Sequence, residues 1–187
     1  MPEARDVAVL VGSLRQASFT RRIAIALGRL APPALKLELV EIGDLPLYNE
    51  DLEATEPDAW RRFRDRVRRA DAVLFATPEY NRSVPGLLKN AIDVGSRPYG
   101  KSVFSRKPAA VVSVSPGAIG AFGANHHLRQ SLVFLDMPTL QQPEAYVGGV
   151  AKLVDEQGNI TNDGTRDFLT AFMTGFAKWI DVQRSAQ

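Results

Sequence analysis

Residues 7–24 read VAVLVGSLRQASFTRRIA, and this run limits what the chain can fold into more than any other. Residues 7–11 are apolar and mostly β-branched, the composition of a strand buried on both faces. The strand stops at Gly12, and a helical pattern starts near Ser18. A strand that hands over to a helix through so short a turn aims the helix's free N–H groups, and the positive end of its dipole, at one spot beyond the strand's carboxyl end. Ser13, Ser18 and Thr20 add hydroxyls there, and Arg15 adds a guanidinium that can grip an oxyanion through two N–H groups. Such a donor set suits a phosphate monoester, with nearly two negative charges and several acceptor oxygens. An ordinary strand-to-helix turn with a serine cap has the same pattern, so the turn by itself leaves both readings open.

Spacing narrows the choice of phosphate. The turn lacks GxxxxGK[ST], which would set a lysine on the outer phosphates of a nucleoside triphosphate. It also lacks GxGxxG, whose second glycine lets the backbone approach a pyrophosphate. A loop rich in side chains around a single phosphate remains.

A second segment favours function. Residues 72–76 form another short apolar strand, which runs into Thr77-Pro78-Glu79-Tyr80-Asn81-Arg82-Ser83-Val84-Pro85-Gly86 and then the helical pattern LLKNAIDV. With GSLRxxS at residues 12–18, TPEYNxSxPGxLKNAIDxxSR at 77–97 and HLRQxLxFLxxP at 127–138, the chain resembles the NADPH-dependent FMN reductase family of flavodoxin-like proteins, and within it the quinone and chromate reductase branch. The motifs and the strands between them cover nearly the whole chain.

Strand and helix patterns alternate with no linker, repeat or low-complexity segment. Residues 35–40 read as strand two, 57–69 as a charged helix, 109–114 as strand four, 124–135 as a helix and 165–182 as the closing helix, with Phe168, Leu169, Phe172, Phe176 and Trp179 at helical spacing. Residues 147–164 read as a long loop or small hairpin. The expected fold is α/β, a flavodoxin-like doubly wound five-stranded parallel sheet in a single domain over residues 1–187. Its strand order, 2-1-3-4-5, brings the carboxyl ends of strands one and three to one crevice.

The resemblance implies FMN as cofactor and NADH or NADPH as co-substrate. Carried over residue by residue, Ser13, Arg15 and Ser18 hold the FMN phosphate, with Gln16 and Thr20 as lesser candidates. Pro78, Glu79, Tyr80 and Asn81 line the edge of the flavin ring. In the turn SVSPGAIG, Ser115 and Gly117 border the ring and ribityl chain, although a plain Pro-Gly turn would read alike. Hydride transfer from nicotinamide to a flavin needs orientation and exclusion of water rather than a catalytic side chain, which accounts for the lack of any Ser-His-Asp set, carboxylate pair or HExxH. The expected cycle is ping-pong, with quinones or chromate as acceptors. Arg82, at the variable position of TPEYNxS, and Arg97 are candidates to flank an anionic acceptor; the alternative is a solvent-facing loop residue and an interface ion-pair partner. Family members form homodimers or homotetramers with the flavin near a subunit boundary. Residues 85–94 and 128–143, including Leu132, Val133, Phe134, Leu135 and Met137, are the interface candidates.

Composition excludes other classes. With no cysteine there are no disulfides, thiol catalysis or Cys-based metal sites. A net charge of +2 is too small to argue for nucleic acid. No apolar run approaches the ~20 residues of a membrane span, and the start, MPEARD, lacks the features of a secretion leader, so a cytoplasmic location is expected. His126 and His127 are adjacent on a helix and point to different faces, against a shared metal. Arg61, Arg62, Arg64, Arg66, Arg68 and Arg69 read as a solvated helix face. Two other readings stay open: a non-catalytic FMN electron carrier or flavin-binding module, and, disfavoured by the missing GxGxxG, a pyridine-nucleotide dehydrogenase without flavin.

Overall fold

The computed structural model describes residues 4–185; residues 1–3, half of the MPEARD segment, and 186–187 lie outside it. Five strands, β1 (Arg5–Val11), β2 (Leu35–Leu39), β3 (Ala72–Thr77), β4 (Ala109–Val114) and β5 (Ala145–Val147), form one parallel sheet in the order β2-β1-β3-β4-β5. This is the doubly wound order expected. Alternate residues of each strand point to opposite faces. Val7, Val9, Leu74 and Val112 meet helices α1 (Phe19–Leu30) and α5 (Asp163–Ser185) through Ile23, Leu27, Phe172 and Phe176. Leu10, Val73, Phe75 and Val111 meet α2 (Asp58–Arg69), α3 (Gly86–Ser96) and α4 (Phe122–Phe134) through Trp60, Phe63, Leu88 and Leu128. Both faces of β1, β3 and β4 are covered, which is why these strands are apolar runs, whereas the edge strand β2, LKLEL, alternates and leaves Lys36 and Glu38 exposed.

Register sets where the site lies. Val11 pairs with Ala76, Thr77 with Ser113, and Val114 with Val147, so four strands end level and their following loops open on one side.

Differences from the sequence reading are local. The fifth strand, which the sequence pattern leaves unplaced, is only three residues long, too short to show a period. Within 147–164, Val147 belongs to β5, and a bridge between Val154 and Ile160 forms a small hairpin. The helix α4 begins two residues before the expected Ala124, and α5 extends further at both ends. The arginines of α2 do not make a uniformly solvated face. Arg64 is buried, donating to Val94 O at 2.8 Å and to Glu56 Oε1 at 2.5 Å, with its guanidinium over Trp60. Arg66 grips Asp6 with two bonds of 2.9 and 2.8 Å. Long side chains can lay their stems on apolar surface and still reach an acceptor, so a charge run need not be wet.

Of the interface candidates, Leu132, Leu135 and Met137 are buried in the chain's own core, whereas Val133 and Phe134 stand 78% and 74% exposed. Among the described residues no helix is long and apolar enough to cross a membrane.

Candidate active site

The turn after β1 is fastened by Ser18, which caps α1. Its Oγ accepts the Arg21 N–H at 3.2 Å and its carbonyl accepts the Arg22 N–H at 3.1 Å. The first helical N–H groups, those of Phe19 and Thr20, have no acceptor within the helix, and both residues line the cavity described below. Ser13 is half-buried and Arg15 exposed, with no ion-pair partner for Arg15 among the described residues. Gly12 allows this turn to lie against the next loop, since a Cβ there would sit 3.1 Å from Pro78 Cδ.

That next loop follows β3. Tyr80 and Ser83 exchange backbone hydrogen bonds of 3.2 and 2.9 Å across Asn81 and Arg82, whose φ values of 51° and 63° are left-handed. Asparagine adopts this conformation readily; arginine does so at a cost. The surroundings hold the turn in place. Glu79 Oε2 accepts the Ala124 N–H at 3.0 Å, putting a carboxylate at the positive end of α4, and Oε1 lies 3.6 Å from the Arg82 guanidinium. Ser83 Oγ lies 3.0 Å from His127 Nδ1. Gly123 makes the approach possible, because a Cβ there would come within 2.8 Å of Arg82 O.

The loop after β4 is the third wall. Ser115 Oγ accepts the Gly117 N–H at 3.0 Å, and Ser115 N donates to Val147 O at 3.0 Å. Below it, buried Ser113 Oγ donates to Gly120 O at 2.7 Å and accepts from Asn125 Nδ2 at 3.1 Å.

The three loops enclose a cavity of about 250 Å³ lined by Ser13, Arg15, Ser18 and Thr20, by Pro78, Glu79 and Tyr80, and by Ser115. Phe19, Val114 and Pro116 complete the lining. Gln16 instead faces a neighbouring cavity. Asn81 and Gly117 lie beside the lining, shaping the turns that present Tyr80 and Ser115. Arg82 stands on the exposed side of its turn. Arg97 follows the last residue of α3, one helix of about 16 Å away, in a separate depression with Tyr99, Phe134 and Asp136. The two arginines therefore do not share a pocket within one chain. Sequence reasoning missed the Glu79 cap on α4 and the Ser113–Asn125 support; an asparagine three and seven residues before Leu128 and Leu132, on the side of the helix they share, is the signal that could have found the second. His126 and His127 have separate partners, Tyr146 Oη at 3.1 Å for the first and Ser83 for the second.

This donor set fits a flavin mononucleotide: free helix N–H groups, two hydroxyls and an unpaired guanidinium for the phosphate, and a braced loop for the ring. The family model for NADPH-dependent FMN reductase matches residues 5–152. The chain belongs to that family. It is 65% identical over 186 residues to a quinone reductase of Pseudomonas putida, covering 99% of this chain and 100% of the relative. It is 44% identical over 181 residues to a 2-hydroxy-1,4-benzoquinone reductase of a Burkholderia species, covering 97% and 99%. The solved flavoenzyme NAD(P)H:(acceptor) oxidoreductase of Paracoccus denitrificans superposes with a TM-score of 0.92 at 43% identity, covering 96% of this chain and 99% of that one. The protein is thus a flavoenzyme of the NAD(P)H-dependent FMN reductase and quinone reductase class, with FMN as its cofactor.

With the FMN phosphate at this turn, Arg15→Ala is expected to weaken FMN binding by about 2 kcal/mol, while riboflavin, which has no phosphate, binds as before. Fluorescence titration of the apoprotein with each flavin measures both. An unchanged FMN affinity would place the phosphate elsewhere.

Proposed function

We propose that this protein takes reducing equivalents from NADH or NADPH through FMN seated in the three-loop cavity and delivers them to quinones, and also to anionic acceptors such as chromate, in a ping-pong cycle. The observation that carries the reading is the convergence of Ser13, Arg15, Ser18 and Thr20 with Pro78, Glu79, Tyr80 and Ser115 around one cavity at the switch between β1 and β3. Bound there, FMN supplies the hydride chemistry, accepting from nicotinamide and giving to the acceptor. The chain's residues bind and orient. Ser13, Arg15 and the N–H groups of Phe19 and Thr20 anchor the phosphate, and Ser18 holds the helix end that presents them. The turn of residues 78–83, fixed on α4 by Glu79, offers backbone donors along the ring edge, where negative charge develops on reduction. Because a single crevice serves both, reductant and acceptor use it in turn.

A homodimer or homotetramer completes the proposal, and we place the protein in the cytoplasm, where reduced pyridine nucleotides are supplied. Val133 and Phe134 on α4 and Tyr99 after α3 are large apolar groups left in water by a single chain. Sedimentation at micromolar concentration is expected to give a dimer or larger; monomer alone would sink the assembly.

Anaerobic stopped-flow mixing of the FMN-loaded protein with NADPH tests the main claim. Rapid bleaching of the flavin, with parallel double-reciprocal plots against quinone, is the expected result. Flavin that stays oxidised would leave an electron carrier. Arg82 decides the anionic acceptors: its guanidinium is 74% exposed and only loosely paired with Glu79. Arg82→Ala is expected to lower kcat/KM for chromate several-fold and spare a neutral quinone, with the gap closing as salt rises. Equal losses for both would mean that the substitution disturbs the turn rather than the acceptor.

A further inference from the structure

Helix α4 starts without a cap of its own. Its N-cap residue, Ala121, has no side-chain acceptor, and its first turn holds no acidic residue. A local Ser, Thr, Asp or Asn is the usual partner at such an end. Here the acceptor comes from 45 residues away, as Glu79 Oε2 takes the Ala124 N–H at 3.0 Å. Gly123 leaves the room, since a Cβ there would sit 3.0 Å from Glu79 Oε2. Glu79 is also part of the cavity wall, between Pro78 and Tyr80. Its side chain is only 14% exposed, so water and salt screen its charge weakly. The cationic neighbour, Arg82, lies 3.6 Å from Oε1 and is 74% exposed, and so wet a partner cancels little of that charge. A hydroxyl or an amide would cap the helix equally well; the charge is what this arrangement adds.

A hydride brings two electrons and one proton, and so adds one negative charge to an oxidised flavin. The bare positive end of α4 would favour that charge. We propose that Glu79 sets the potential of the bound flavin: its carboxylate takes the field of α4 for itself and leaves a poorly compensated negative charge in the wall, which holds the potential low and makes the reduced flavin a stronger donor. The inference rests on the reading that the flavin ring lies along the turn of residues 78–83. Two electrons and a proton still enter from the nicotinamide and leave to the acceptor; Glu79 alters only the free energy at which they are held in between.

The midpoint potential of the FMN-loaded protein, measured anaerobically against a reference dye, tests the assignment. Glu79→Gln keeps an oxygen for the Ala124 N–H and removes the charge. At a fixed ambient potential the ratio of reduced to oxidised flavin is expected to rise about tenfold, an upward shift of about 30 mV for a two-electron couple. Glu79→Ala, which loses the cap as well, is expected to show the same shift with a lower Tm. Asp181→Asn removes an equal charge at the far end of the sheet, where Asp181 pairs with Arg5 at the start of β1, and is expected to leave the potential unchanged. The parent's potential in Glu79→Gln, a shift matched by Asp181→Asn, or a shift confined to Glu79→Ala would overturn the assignment. Tyr80, in the same wall, reports where the ring lies, because a phenol beside a flavin quenches its emission; Tyr80→Leu is expected to brighten bound FMN. An unshifted potential in Glu79→Gln with that brightening overturns the role of Glu79 alone, whereas an unshifted potential without it places the ring elsewhere and overturns the reading of the turn as well.

Discussion

Val9 of β1 lies beside Leu39 of β2 on one side and Leu74 of β3 on the other, and both pairings are parallel. A parallel neighbour can be reached only by a crossover long enough to return to the same edge, so a helix must follow each strand. The chain first builds outward from β1 to β2, then crosses to the other side for β3, β4 and β5. At the reversal the loops after β1 and β3 leave in opposite directions and a crevice opens between them. The cavity walled by the loops after β1, β3 and β4 is a consequence of that arrangement, and the neighbouring cavity at the ends of β1 and β2 is its other flank.

Topology opens the crevice but does not hold its walls still. Hydrogen bonds between loops distant in the sequence do that. The Glu79 carboxylate at the start of α4 ties the turn of residues 80–83 to the helix, so the strained φ of Arg82 persists. Ser113 and Asn125, both fully buried, pin the third loop from beneath. Gly148 lets the chain after β5 close against that loop, since a Cβ would lie 2.2 Å from Ala118 O. For a reaction that depends on orientation more than on acid or base groups, these fastenings matter as much as the residues that touch the ligand.

Arginine is used in two ways at the two ends of the sheet. At the amino ends of the strands, Arg66 is clamped on Asp6 and reaches Glu38, and Arg184 pairs with Asp71. Lys107, its charged form disfavoured by burial, donates there to the Ala70 carbonyl. These groups join the elements together. At the carboxyl ends Arg15 and Arg21 have no protein partner among the described residues, and Arg82 has only a loose one. Cations left open around a concave surface attract phosphates and other anions, whereas paired cations have their field cancelled locally.

What the sequence determined by itself is what neighbouring residues encode. Buried parallel strands appear as apolar runs, and the turn after β1 is legible as a cluster of donors because Ser13, Arg15 and Ser18 lie within one turn. The TPEYN loop is legible for the same reason. Tertiary structure decided whatever depends on partners far along the chain. The β5 strand is too short to have a period and exists because β4 offers it an edge. The burial of Arg64 depends on Val94 and Glu56, that of Leu132 and Met137 on the sheet face beneath them. Arg82 and Arg97 look like a pair in one motif, but a rigid helix holds them apart; Gln16, a phosphate candidate from its place in the turn, faces a different cavity. Periodicity and turn chemistry are properties of contiguous residues, whereas the direction a side chain faces is fixed only when the strands have been ordered.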